Sequence, residues 1–95
     1  MARENAVFYM DVLLVRYAKD GITPIACEML IVKTPNGTES EAYSEGKKWL
    51  KTKRWLSANW RVNSVGYPDT LNERYQQMRQ KCRANSIANA IRGKE

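Results

Sequence analysis

From Ala6 to Ala18 the chain reads Ala-Val-Phe-Tyr-Met-Asp-Val-Leu-Leu-Val-Arg-Tyr-Ala, an apolar run broken only by Asp11 and Arg16. β-Branched and aromatic residues at this density favour extended backbone, so the segment is read as one long strand. A strand this apolar has to be covered, and that requirement constrains the rest of the fold. Lys19-Asp20-Gly21 follows; Asp-Gly tolerates the positive φ that tight turns need, and Pro24 returns the chain to extended geometry. Ile25 to Lys33 is the return strand, with one face buried and part of the other covered. The register of this hairpin stays open.

Thr34-Pro35-Asn36-Gly37-Thr38 is a second turn cluster. Beyond it Ser40 or Thr38 caps a helix whose first turn carries Glu39 and Glu41 and which runs to about Ser57. Ala42, Gly46, Trp49, Leu50 and Leu56 share one face of that helix, while Lys47, Lys51 and Arg54 line another, with Lys48 and Lys53 nearby. The basic ridge is either a contact surface or an ordinary solvated helix face. Trp60 to Val65 then alternates as a half-buried third strand does, with Trp60, Val62 and, after a slip, Val65 toward the core.

Asp69 to Glu73 reads as the start of the last helix, with Thr70 and Glu73 spaced as a capping box. Its apolar stripe is Leu71, Tyr75, Met78 and Cys82. Ala84, Ile87, Ala88 and Ile91 fall on roughly the opposite side at about 100° per residue. Either Asn85-Ser86 breaks and recaps the helix, or residues 84–95 form a mobile or partner-docking tail. Gly93 ends the helix. The expectation is one α+β domain spanning residues 1–95, in the order strand, strand, helix, strand, helix, with a small antiparallel sheet covered by helices and a basic C-terminal helix.

Ninety-five residues suffice for one core but not for a deeply enclosed cofactor cleft, so no cofactor is expected. The chain has no histidine, and Cys27 and Cys82 are its only cysteines, far apart in sequence. Histidine-based triads and zinc sites are therefore ruled out; no glycine-rich phosphate-loop pattern occurs and the acidic residues are scattered rather than paired, so an enzyme is not expected. The two thiols are read as core residues, with a disulfide between them as the alternative. No segment has the length or apolarity of a membrane span or a signal peptide, which points to a cytoplasmic protein.

The formal charge of +6 asks for an acidic partner. Direct nucleic-acid binding would use Lys47, Lys48, Lys51, Lys53 and Arg54 interleaved with Trp49 and Trp55, although Trp49 also lies on the apolar helix face. Protein binding would use the out-of-phase C-terminal stripe and the turn at Tyr67-Pro68. An X-Pro linkage has two accessible isomers that exchange over tens of seconds or more, so this turn is a candidate slow switch; the alternative is that Pro68 simply stops the strand ahead of the helix. From physics alone, the contact residues are Tyr67, Pro68, Asp69, Arg79, Arg83, Ile87, Ile91 and Arg92.

The short basic chain, with Val65-Gly66-Tyr67-Pro68-Asp69 ahead of a basic helix, resembles the small anti-RecBCD proteins of lambdoid Salmonella phages. The resemblance implies a non-enzymatic modulator in the host cytoplasm. It would bind the host RecBCD helicase-nuclease, chiefly through RecC, and alter its Chi-regulated activity so that phage DNA ends survive and recombine. It also implies that a host peptidyl-prolyl isomerase acts at Pro68. The alternative is an accessory recombination protein that binds DNA directly, and a third class is a structural or packaging protein.

Overall fold

The apolar run becomes β1 (Phe8–Tyr17), paired antiparallel on one side with β2 (Pro24–Thr34) and on the other with β3 (Trp60–Gly66). The computed structural model describes residues 7–52 and 59–93, with side chains as far as residue 87. Strand order is β2-β1-β3, so the most apolar strand lies in the middle. Side chains alternate across a sheet, and here both faces of β1 are buried. Met10, Val12 and Leu14 on one face and Leu13 and Val15 on the other expose no surface.

Each face has its own helix, giving three layers. Helix α1 (Glu39–Thr52) packs Ala42 and Leu50 onto Met10, Val12 and Leu14, with Trp49, Trp60, Val62 and Val65 around them. Helix α2 (Asn72–Gly93) covers the other face, where Leu71, Tyr75 and Met78 meet Leu13, Val15, Cys27 and Met29. A central strand sandwiched in this way has no polar face to show, which accounts for its nearly unbroken apolarity. Trp49 belongs to the core, as its position on the apolar helix face suggested.

Local chemistry sets the connections. Between β1 and β2 the Ala18 amide donates to the Thr23 carbonyl at 2.8 Å, and Gly21 takes a φ of 75°. Asp20 accepts from the Ile22 and Thr23 amides at 2.9 Å each and from the Thr23 hydroxyl. Those hydrogen bonds, the Thr23 hydroxyl's above all, hold its carboxyl below the ordinary carboxylate range. Thr38 caps α1: its hydroxyl accepts the Glu41 amide at 3.2 Å, while Glu41 reaches back to the Thr38 amide at 3.1 Å. This is a reciprocal capping box. The expected continuation of α1 to Ser57, with Leu56, lies outside the described residues.

In β3 the register shifts between Leu13 and Leu14, which pair with Ser64 and Val62. Asn63 is the extra residue of a β-bulge, and the bulge places Trp60, Val62 and Val65 on the same face. The expected slip is therefore real.

Two expectations about α2 are corrected. The Thr70 hydroxyl does not cap the helix; it donates to the Tyr67 carbonyl at 2.6 Å, and the Thr70 amide donates to the same oxygen at 3.0 Å. Thr70 closes the preceding turn instead, and the first helical bond described there runs from the Tyr75 amide to the Leu71 carbonyl. Nor does Asn85-Ser86 break the helix, which is continuous to Gly93. Asn85 extends the inward stripe by three residues beyond Cys82. It donates to the Pro24 carbonyl at 2.9 Å, and Ser86 donates to the Ile25 carbonyl at 2.6 Å. The polar pair serves as a dock onto the start of the edge strand rather than as a stop signal.

Candidate functional site

Tyr67 and Pro68 lie at the tip of the β3–α2 connection, both exposed, Tyr67 by 57%. The Tyr67–Pro68 bond is trans, since no described peptide bond is cis. The tip is fastened from behind. Besides the two Thr70 bonds, the Asp69 amide donates to Asp11 Oδ2 at 3.1 Å, reaching from the turn to the middle strand. Asp69 takes a φ of 73°, a left-handed conformation that Asp tolerates better than most residues. An exposed aromatic-proline pair therefore projects from a turn anchored to the core.

Beside this turn, on the α2 face of the sheet, lies an open groove of about 640 Å³. Asp11 and Tyr9 of β1, Met29 and Ile31 of β2, and Pro68 and Asp69 of the turn line it, with Asn72 at its end. Ile31 is 71% exposed, although it pairs directly with Asp11 in the sheet. Asp11 is the member of this group that sequence reasoning did not assign to a site. Its signal was a lone carboxylate inside an apolar run.

The basic residues are distributed rather than gathered. Lys47 and Lys51 are exposed on α1, and Lys47 sits over the Tyr43 ring at 5.5 Å. Lys48 forms an ion pair with Glu45 at 3.1 Å, so part of the expected ridge is already neutralised on its own helix. Arg54, Lys53 and Trp55 lie outside the described residues. Arg79 and Arg83 are exposed on the outer side of α2, where they flank a shallow depression with Gln76 and Gln80, and Arg79 lies over the Tyr75 ring at 5.7 Å. Because α1 and α2 cover opposite faces of the sheet, the α1 lysines and the α2 arginines form two separate surfaces.

Ile87 is 55% exposed, pointing away from the stripe that meets the sheet. Ile91 and Arg92 belong to the same continuous helix, and their side chains lie outside the described residues. At about 1.5 Å rise per residue, Arg83 and Ile87 lie roughly 16 and 22 Å along α2 from its first residue. The predicted contact residues thus follow one edge of the molecule from the turn outward and do not converge on a point.

The two cysteines do meet. They lie beside each other between β2 and α2, and both are free. Burial, reinforced by the neighbouring Cys27, pushes the Cys82 thiol up to about 12, and burial also raises Cys27. Such thiols stay protonated at neutral pH and are poor nucleophiles. Among the described residues no group of His, Cys, Asp and Glu side chains has the arrangement of a metal site, and no helix is long and apolar enough to cross a membrane.

The fold and its exposed elements define a small α+β protein with a helix on each face of a three-stranded antiparallel sheet and a rigidly mounted aromatic-proline turn. No family model matches the chain, and no curated protein and no solved structure matches it either.

Proposed function

We propose that the protein acts by docking on a larger protein rather than by catalysis, with the Tyr67-Pro68 turn as the central contact. One observation carries this reading: an exposed tyrosine and proline are held out on a turn whose backbone is tied to the buried Asp11. A contact aromatic presented on a fixed mount loses little conformational entropy on binding, which is how aromatic anchors concentrate binding energy. The target that the sequence resemblance suggests is the host RecBCD helicase-nuclease, engaged through RecC, with loss of its Chi-regulated behaviour. A host peptidyl-prolyl isomerase is the second proposed partner, acting at Pro68. Exposure of the Tyr67-Pro68 bond supports that role, since an isomerase has to enclose the bond it turns over.

Direct DNA binding is the second reading, favoured by the exposed arginines on the outer side of α2. Against it stands the separation, among the described residues, of the α1 lysines from the α2 arginines by the sheet, because a nucleic-acid groove gathers its cations on one face. The deciding experiment is retrieval of host proteins on the immobilised full chain in salt that strips nucleic acid. Recovery of RecB, RecC and RecD, reduced by Tyr67→Ala, is the expected result. Recovery of DNA alone, with binding lost steeply as salt rises, would replace this reading with the second.

A further inference from the structure

The groove beside the turn combines features that a purely structural site would not need. Asp11 is only 7% exposed, yet it lines the groove. Its Oδ2 accepts the Asp69 amide, and among the described residues no donor reaches Oδ1. The unpaired oxygen faces the open groove, and the partner that suits its charge is a cation bearing hydrogen-bond donors. Its cross-strand neighbours do not supply one: they are Ile31 on β2 and Gly66 on β3.

A second carboxylate stands at the mouth. Asp69 Oδ1 has only a long contact of 3.4 Å from the Asn72 side-chain amide, which leaves it available. The rest of the lining is mostly apolar: Met29, the exposed Ile31, Pro68 and the Tyr9 ring. A long aliphatic stem would lie along such walls while its charged head met the carboxylates, the way lysine and arginine divide themselves between apolar and polar surroundings.

We infer that this groove is a binding site for an arginine or lysine side chain presented by a partner protein, with Asp11 as its buried anchor and Asp69 as its outer one. In a chain of net charge +6 the groove inverts the local sign. It therefore selects a basic element that the rest of the surface repels, which makes it a specificity device as well as a contact. The inference goes beyond the docking role of the Tyr67-Pro68 tip, because it names an adjoining groove, which shares Pro68 and Asp69 with the turn, and a different chemistry.

Short blocked peptides are the probes: one carrying a central arginine, the same peptide with lysine, with citrulline, and with norleucine. Each is titrated into the isotopically labelled full chain, and the Ile31 and Met29 methyl signals are followed. Saturable shifts with arginine or lysine, weakened about tenfold or more with citrulline and norleucine, are expected; tenfold corresponds to about 1.4 kcal/mol. Asp11→Asn is expected to abolish the preference for the cation. Because Asp11→Asn could disturb the turn, Asp69→Asn provides a second variant; Asn tolerates the left-handed backbone there as well as Asp does, and a several-fold loss is expected. Equal binding of citrulline and arginine, no saturable shift with any cationic peptide, or preference unchanged in both variants would overturn the inference. Saturation by calcium or magnesium ions with none by arginine would overturn it too. Since no RecBCD component is present, this test and the retrieval experiment fail independently.

Discussion

Gly46 is where α1 comes closest to the sheet, and replacing it tests the two-sided architecture directly. A Cβ at position 46 would stand 2.8 Å from Val12 Cγ1 and 3.1 Å from Val62 Cγ2, against the 3.4–4 Å of ordinary contact. Val12 is fully buried in the middle strand and cannot retreat, so the helix has to lift by several tenths of an ångström or Val12 has to leave its rotamer. Two effects oppose each other. Alanine gains about 1 kcal/mol in helix propensity over glycine, whereas overpacking a close-packed interior costs about 1–3 kcal/mol. Since two side chains, one of them fully buried, both lie inside contact distance, the upper part of that range applies, and Gly46→Ala is expected to destabilise by about 1–2 kcal/mol. A double-mutant cycle separates the terms. Val12→Ala alone leaves a cavity, but in combination with Gly46→Ala the new methyl occupies part of it. The double variant should therefore lose less stability than the two single losses added together, by about 1 kcal/mol. Urea unfolding followed by tryptophan fluorescence measures all three variants, since Trp49 and Trp60 pack against this cluster. Gly46→Ala as stable as the parent, or additive losses in the cycle, would refute the close helix–sheet contact.

The remaining expectations follow from single contacts. Pro68 is exposed, so Pro68→Ala should cost less than about 1 kcal/mol, mostly by freeing the unfolded chain, while retrieval of the isomerase on the immobilised variant is lost; loss of cooperative unfolding would make Pro68 structural instead. Asn85→Ala removes a part-buried hydrogen bond to the Pro24 carbonyl and should cost about 1 kcal/mol, with faster amide exchange in the last turns of α2; unchanged exchange would mean that the helix end is held by other contacts. The Cys82 thiol is raised from 9.0 to about 12 by burial. Its neutral form therefore favours the folded state fully below pH 9, and that contribution is lost as pH climbs through about 12. Urea midpoints of the parent should fall over this alkaline interval more than those of Cys82→Ser, and at pH 8 Cys82 should react with a thiol reagent only after unfolding. Rapid labelling of the native chain would contradict its placement.

The candidate site was legible only in part. Tyr67-Pro68 stood out because proline chemistry is written in the residue itself, and the structure places both residues at the surface. Asp11 did not stand out, because its place beside the turn comes from the approach of the Asp69 amide from 58 residues away. The basic ridge was legible only as local spacing. Periodicity placed Lys47, Lys48 and Lys51 on one helix, but it could not say that Glu45 pairs with Lys48 or that α2 would carry its arginines on the other side of the sheet.

What the amino-acid order determined by itself was local: the strands from β-branched density, the Asp20-Gly21 and Thr38 signals at the turns, the bulge needed to bring Val65 inward, and the stripe of Leu71, Tyr75, Met78 and Cys82. These depend on neighbours within a few positions, and the code for them is short-range. Which strand takes the centre, which helix takes each face and where a hydroxyl or amide finds its acceptor were decided only when distant segments met. Thr70 and Glu73 had capping-box spacing, yet the Tyr67 carbonyl was nearer; Asn85 and Ser86 looked like a break, yet the carbonyls at the start of β2 were waiting for donors. A polar group bonds to whatever the assembled fold brings within 3 Å or so, and that partner is absent from its own stretch of sequence.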